Sequence, residues 1–249
     1  MAQNANEALL YAVENGCLDG VKAALKAGAD IDYAEDDIDS TGSGLLLASI
    51  NGDVEMVRLL IHMGASVSKK TGAGISCAPL HGAAGNGHTE VVELLVHHGA
   101  TLDTRDAYQR TPLMAAILFG HVNTVRQLIE FGARVDLADR RGRTAQEYCM
   151  ADVVGEDCGC VRRELMKLVQ QAIKTKMLRC CNPTCGKAGR RSTLKLCAQC
   201  KLTRYCSRDC QKQHWTVGHK KSCRQDTCTV TDAEVRKILK TIQSTAGEV

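Results

Sequence analysis

Apolar positions in the first 140 residues fall into short paired segments that recur along the chain. ALLYAV, GLLLASI, PLHGAA and PLMAAI each lead to a glycine: Gly16, Gly52, Gly87 or Gly120. Twelve residues after each comes a Gly-Ala pair that ends a second apolar segment, VKAALKAGA, VRLLIHMGA, VVELLVHHGA or VRQLIEFGA. The pairs Gly28-Ala29, Gly64-Ala65, Gly99-Ala100 and Gly132-Ala133 follow one another at steps of 36, 35 and 33 residues. Within the second segments the apolar residues keep helical spacing, as Val91, Leu94 and Leu95 do, or Val125, Leu128 and Ile129. Glycine just past a helix suits a left-handed C-cap, so each unit predicts a helix, a tight turn, a second helix and a loop. One such pair cannot bury its own apolar faces. Stacked neighbours can.

The sequences APLHGAAGNGHTEVVELLVHHGA and TPLMAAILFGHVNTVRQLIEFGA make residues 5 to about 140 resemble the ankyrin repeat family. Units three and four match closely, and units one and two lack the Thr-Pro opening. Residues 142 to 174 resemble a terminal capping repeat interrupted by DVVGEDCGC. The resemblance implies a concave face that binds proteins. On it would stand the residues before each turn glycine: Glu14-Asn15, Ile50-Asn51, Gly85-Asn86 and Leu118-Phe119. The three asparagines simply fit the repeat, whereas Leu118 and Phe119 have no evident core role and are candidate anchors. Tyr108, Arg140 and Arg141 at the loop tips are further candidates. His81, His88 and His121 read as structural, and His97-His98 as solvated residues closing a helix. Cys17 and Cys77 read as small buried hydrophobes. Cys149, Cys158 and Cys160 read as thiols of the insertion rather than as a third metal site.

Composition changes the picture in the second half. Of fourteen cysteines, eight lie between Cys180 and Cys223, with two histidines among them. A secreted disulfide scaffold would spread its cysteines and follow a signal peptide, but Glu7 and Glu14 interrupt any apolar core at the start. No apolar run approaches the roughly 20 residues of a membrane helix. Clustered cysteines then imply metal in a reducing compartment, cytoplasmic or nuclear. Charge divides in the same place. Residues 1 to 176 carry 17 Lys plus Arg against 23 Asp plus Glu, a net of −6, and residues 177 to 249 carry 15 against 5, a net of +10.

The spacing supplies four pairs: Cys180 or Cys181 with Cys185, Cys197 with Cys200, Cys206 with Cys210, and His219 with Cys223. Short gaps let both donors of a pair reach one ion about 2.3 Å away, and eight donors suit two tetrahedral zinc ions. With Tyr205 before Cys206 and His214-Trp215 before His219, residues 180 to 223 resemble the MYND zinc-finger family. The resemblance implies cross-bracing. The first and third pairs would hold one ion, and Cys197, Cys200, His219 and Cys223 the other. A Cys-x-Asn-Pro-x-Cys opening occurs in that family and favours Cys180. Sites filled by protein leave no place for an activated water, so the zinc is structural. The family's peptide groove maps to Gln211 and Trp215, with Ala198 where a small polar residue is common. His214 reads as a spectator rather than a ninth ligand.

After the finger, Thr231 and Glu234 form a capping box, and Val235, Ile238, Leu239 and Ile242 an apolar stripe. The expected architecture is therefore mainly α: an ankyrin-repeat helical solenoid (1–174), a basic helix near 161 to 178, a cross-braced two-zinc finger (177–224) and a C-terminal amphipathic helix (229–245). The expected function is a monomeric adaptor between protein partners, without enzymatic activity, small-molecule substrate or membrane. MYND fingers accompany methyltransferase domains, but the spacers here leave no room for a cofactor-binding fold. A nucleic-acid-associated or transcription-regulatory role for the basic half is the alternative. Little aromatic interleaving supports it.

Overall fold

The computed structural model describes residues 2–34, 42–71, 76–150, 159–175, 177–179, 188–190, 195–196, 204–214 and 216. Helices α1 (Ala2–Glu14) and α2 (Leu18–Lys26) form the first antiparallel pair. They are followed by α3 (Gly44–Asn51) and α4 (Val54–His62), α5 (Pro79–Gly85) and α6 (Thr89–His97), and α7 (Pro112–Leu118) and α8 (Val122–Phe131). Every expected pair is present. A fifth follows, α9 (Ala145–Met150) and α10 (Gly159–Thr175). First helices pack on first helices, in the order α1, α3, α5, α7, α9, while α4, α6, α8 and α10 make a second row.

Local chemistry sets the boundaries. Ser43 and Thr111 cap α3 and α7 by accepting from Leu46 N and Met114 N, and Pro79 and Pro112 open α5 and α7, where a missing N–H costs nothing. All eight repeat glycines have positive φ, from +66° at Gly16 to +101° at Gly132. At Gly52 and Gly87 space as well as φ demands glycine. A Cβ there would stand 2.4 Å and 2.5 Å from Nδ1 of His88 and His121, one repeat further on.

The core shows why the period holds. Leu9, Leu45, Leu80 and Leu113 occupy one place in successive repeats and Val21, Val57, Val92 and Val125 another, all at most 1% exposed. The small residues Ala12, Ala48, Ala83 and Ala116 let the first helices approach, and Cys149 takes that place in the fifth pair, 1% exposed. Cys149 is thus a core residue of α9, not a thiol of the insertion. Burial pushes its pKa up to about 11. Cys160 is exposed on α10, and Cys158 lies outside the described residues. The region expected as a terminal capping repeat packs as the fifth helix pair: Val161 of α10 approaches Gly120 as His121 approaches Gly87.

Two further cysteine expectations are corrected. Cys17 is exposed because it is the N-cap of α2, its Sγ accepting from Gly20 N, the role Asp53 plays for α4. Cys77 is half-buried in a bridge with Thr71, and burial together with Asp106 pushes its thiol up to about 12. The basic helix stops at Thr175, and Met177–Arg179 form strand β1, antiparallel to β2 (Ala188–Arg190). The C-terminal helix expected at 229–245 lies outside the described residues.

Buried polar groups tie repeat to repeat. His81 accepts from Ala78 N at Nδ1, so its Nε2–H donates to Arg110 O at 3.0 Å in the next hairpin. Burial lowers its pKa from the ordinary 6.5 to about 4. Asp103, which accepts from Arg134 N, is raised by burial from 3.8 to about 6. The signs oppose. His81 stays neutral when folded, so its contribution is complete above pH 6.5 and falls away as pH drops towards 4. Asp103 prefers its protonated form when folded, so its contribution is complete below 3.8 and is lost as pH rises through 6. Each is worth on the order of 3 kcal/mol across its window. We therefore expect Asp103→Asn to steepen the fall in stability between pH 6.5 and 4, and His81→Gln to flatten or invert it. Urea midpoints measured against pH check this, and parallel profiles for all three proteins would contradict it.

Candidate functional site

Two regions carry the candidate residues. On the repeat side, the position before the turn glycine is filled by Asn15, Asn51, Asn86 and Phe119. Asn15 Nδ2 donates to Tyr11 O at 2.8 Å and Asn86 Nδ2 to Gly82 O at 2.9 Å, so both are spent on their own helix ends. Phe119 makes no such bond with its side chain and is 57% exposed, its ring 3.7 Å from where a Cβ of Gly85 would stand. Ile50, 36% exposed, lies over Gly82 of the following repeat. Leu118, expected beside Phe119 as an anchor, is half-buried and packs against the core, because the last turn of α7 rotates it inward. Of the two expected anchors, Phe119 is the exposed one.

The histidines expected to be structural are so. His88 Nε2 lies 2.8 Å from Ile50 O and His121 Nε2 2.9 Å from Gly85 O, each crossing to the preceding repeat. His97 and His98 are exposed at the end of α6 and hydrogen-bond through Nδ1 to Glu93 O and Leu94 O.

Hairpins project between the helix pairs, and two share one design. Asp106 Oδ1 accepts from Tyr108 N and Arg110 N, and its Oδ2 from Arg110 Nε at 2.7 Å. Thirty-three residues later Asp139 Oδ1 accepts from Arg141 N and Arg143 N, and its Oδ2 from Arg143 Nε and Nη2 and from the Tyr148 hydroxyl. Burial alone would raise the Asp139 carboxyl, but these donors outweigh it and hold the group below the usual carboxylate range. The Arg110 guanidinium stacks 4.8 Å over the ring of Tyr108, which is 42% exposed. Arg140 N donates to Tyr108 O, joining the two tips, and both Arg140 and Arg141 side chains are exposed.

In the finger, β3 (Lys195–Leu196) pairs antiparallel with β4 (Arg204–Tyr205), and β4 leads through Cys206 into α11 (Arg208–His214). Ser207 Oγ accepts from Cys210 N at 3.2 Å and starts the helix. This places Cys206 Sγ and Cys210 Sγ 3.5 Å apart. Two thiolates about 2.3 Å from one zinc at tetrahedral angles stand about 3.8 Å apart, so this pair fits one edge of such a site. Gln211 is half-buried on the same helix. Cys180, Cys185, Cys197, Cys200, Trp215, His219 and Cys223 lie outside the described residues.

His214 is not a spectator. Its ring is 1% exposed, with Nδ1 2.9 Å from the hydroxyl of Tyr205, itself 1% exposed, and the two rings meet edge to face at 5.7 Å. The pair clamps the far end of α11 onto β4 and so fixes the short arc that carries Cys206 and Cys210. Spacing flags the ligands but not this clamp. The signal available was Tyr205 and His214 nine residues apart, flanking a helical turn.

A stack of helix pairs with projecting hairpins, joined to a small cysteine-bearing β-hairpin and helix, defines a repeat scaffold carrying a metal-binding finger. Comparison with known families agrees: ankyrin repeats match at residues 9–61 and 45–139, and a MYND finger, a zinc-binding domain, at 180–223. The chain is an ankyrin-repeat protein with a MYND finger following its repeats. Among curated proteins it is 40% identical over 109 residues to "B-cell lymphoma 3 protein homolog" of Mus musculus, a match covering 44% of this chain and 23% of that protein. It is 56% identical over 32 residues to "Ubiquitin carboxyl-terminal hydrolase 17" of Arabidopsis thaliana, covering 13% of this chain and 4% of that protein. The chain thus spans less than a quarter of either relative. Both modules are of kinds that typically engage other proteins without catalysis. No described helix is long and apolar enough to cross a membrane.

Proposed function

We propose that the chain is a non-catalytic adaptor that holds one protein on the inner face of its repeats and a short peptide of another on its finger. The observation that carries this is Phe119, an exposed ring at the place where Asn15 and Asn86 are consumed by their own helices. A large apolar side chain that leaves more than half of its surface exposed suits an interface anchor. Tyr108 and Arg140 extend the same face at the hairpin tips. On the finger, Gln211 and Trp215 would form the peptide groove, and a proline-containing ligand suits it.

The ligands of two structural zinc ions would be Cys180, Cys185, Cys206 and Cys210 for one, and Cys197, Cys200, His219 and Cys223 for the other. The Cys206 to Cys210 separation supports the first set. Zinc there supplies shape rather than chemistry. The hydrolase named in the plant relative is not carried over, since that match spans 32 residues and 4% of that protein. Reduced thiols outside the finger, such as Cys160, suit a cytoplasmic or nuclear protein.

Affinity capture with the intact protein beside Phe119→Ala and Trp215→Ala tests the reading. Each variant should lose a different set of captured proteins while keeping its thermal midpoint, and metal analysis should return two zinc ions per chain. Identical captured sets for all three proteins would sink it.

A further inference from the structure

We propose that the tips of the third and fourth hairpins, together with Phe119 at the far end of α7, receive an acidic segment of a partner protein. Carboxylates would meet Arg140 and Arg141, and an apolar side chain would meet Phe119. This deepens the adaptor reading and rests on it.

Charge distribution is the first argument. Residues 100–111 and 133–144 hold six arginines against four aspartates. Three of those aspartates are turned inward: Asp103 is 3%, Asp106 1% and Asp139 8% exposed, each accepting backbone N–H groups of its own or the next hairpin. The fourth, Asp136, is engaged by Arg134 at 3.0 Å. Arg110, Arg134 and Arg143 are half-buried and paired with Asp106, Asp136 and Asp139, and Arg105 is spent on the carbonyls of Gln109 and Ala138. The surplus of two cations therefore falls on the exposed pair Arg140 and Arg141. Arg141 is exposed beside Gly142, and Tyr108 carries the Arg110 guanidinium on its face.

Polarity along the stack is the second. By sequence, the connection between the first two helix pairs, residues 29–43, carries six acidic residues and no Lys or Arg, whereas the arginines fall in the third and fourth connections. An acidic segment is repelled by the former and attracted by the latter, which favours a place near Arg141. The apolar contact lies within reach. α7 runs seven residues from the hairpin side to Phe119, a rise of about 10 Å, or three residues of extended peptide.

Nucleic acid fits less well. A surplus of two cations tracks about two phosphates, too few for more than weak, salt-sensitive binding, whereas a peptide adds the apolar contact.

The test uses the intact chain. A display library of short random peptides is selected on wild-type protein and cleared of binders that also hold Phe119→Ala. Enriched sequences should place Asp and Glu around a Leu, Ile or Phe. The synthesised winner should bind about tenfold more weakly to Arg141→Glu, whose thermal midpoint is unchanged, and more weakly as salt rises. Three results would overturn the inference: no enrichment or neutral or basic winners, affinity that survives Arg141→Glu, or a single-stranded oligonucleotide binding the same residues more tightly than the winner. Affinity capture separates the two readings. If Phe119→Ala strips captured proteins and Arg141→Glu strips none, the adaptor stands and its acidic partner falls. If neither variant nor Trp215→Ala strips any, the adaptor reading itself fails.

Discussion

Removing zinc with a chelator unfolds the finger and leaves the repeats standing. Among the described residues, the apolar cluster that holds the repeats together runs from Leu9 to Val169. Among residues 205–214 and 216 of the finger, Tyr205 and His214 are buried. A segment of this size, with eight cysteines among forty-four residues, has few apolar side chains to set against an ordering entropy of roughly 1 to 2 kcal/mol per residue. Metal binding, on the order of 10 kcal/mol in small zinc domains, can offset it. Amide signals of residues 177–216 should therefore collapse to the unfolded range in the apo-protein while those of α1 to α10 keep their dispersion. Cys210→Ser should act in the same direction, because it removes one donor of the edge set by Ser207 and the Tyr205 to His214 clamp. Well-dispersed finger signals after chelation would contradict the assignment of folding energy to the metal.

The second large effect is expected at Asp139. Alanine there removes the acceptor for two backbone N–H groups, the Arg143 guanidinium and the Tyr148 hydroxyl, and leaves the hydroxyl of Tyr148, a side chain 1% exposed, without its acceptor. Breaking such a network from one side costs about 3 to 5 kcal/mol, against well under 1 for an exposed pair such as Lys22 with Asp19. For a chain of this size that is about 10 °C in thermal midpoint. Asp106→Ala is the internal control. The same hairpin lacks the tyrosine donor, since Ala115 stands where Tyr148 stands one repeat later, so the loss should be smaller. The folded pKa of Asp139 lies below its ordinary 3.8, so its contribution is complete above that value and is lost as pH falls through the folded pKa. Equal midpoints for wild type and Asp139→Ala would show that the hairpin is held by other means.

Much of this molecule is legible in the chain. The four helix pairs and the left-handed glycines that end them follow from spacing and residue type. Each depends on neighbours within about one helical turn. The fifth pair was blurred because the residues between α9 and α10 shift the period, and only the approach of Val161 to Gly120 restores it. Cys17 was misjudged for a similar reason. A small residue after a turn glycine can be core or cap, and the position is settled by the fold around it.

The sequence by itself determined the repeat period, the identity of the two modules and the metal-binding character of the second, because helical spacing, glycine stereochemistry and ligand spacing are local. Tertiary structure alone decided which side of each residue meets the neighbouring repeat. It turned Leu118 in and left Phe119 out, buried the hairpin aspartates while exposing Arg141, and joined His214 to Tyr205. Those outcomes depend on contacts between residues as much as 38 positions apart, as between Ile50 and His88, where packing rather than local preference fixes which groups meet.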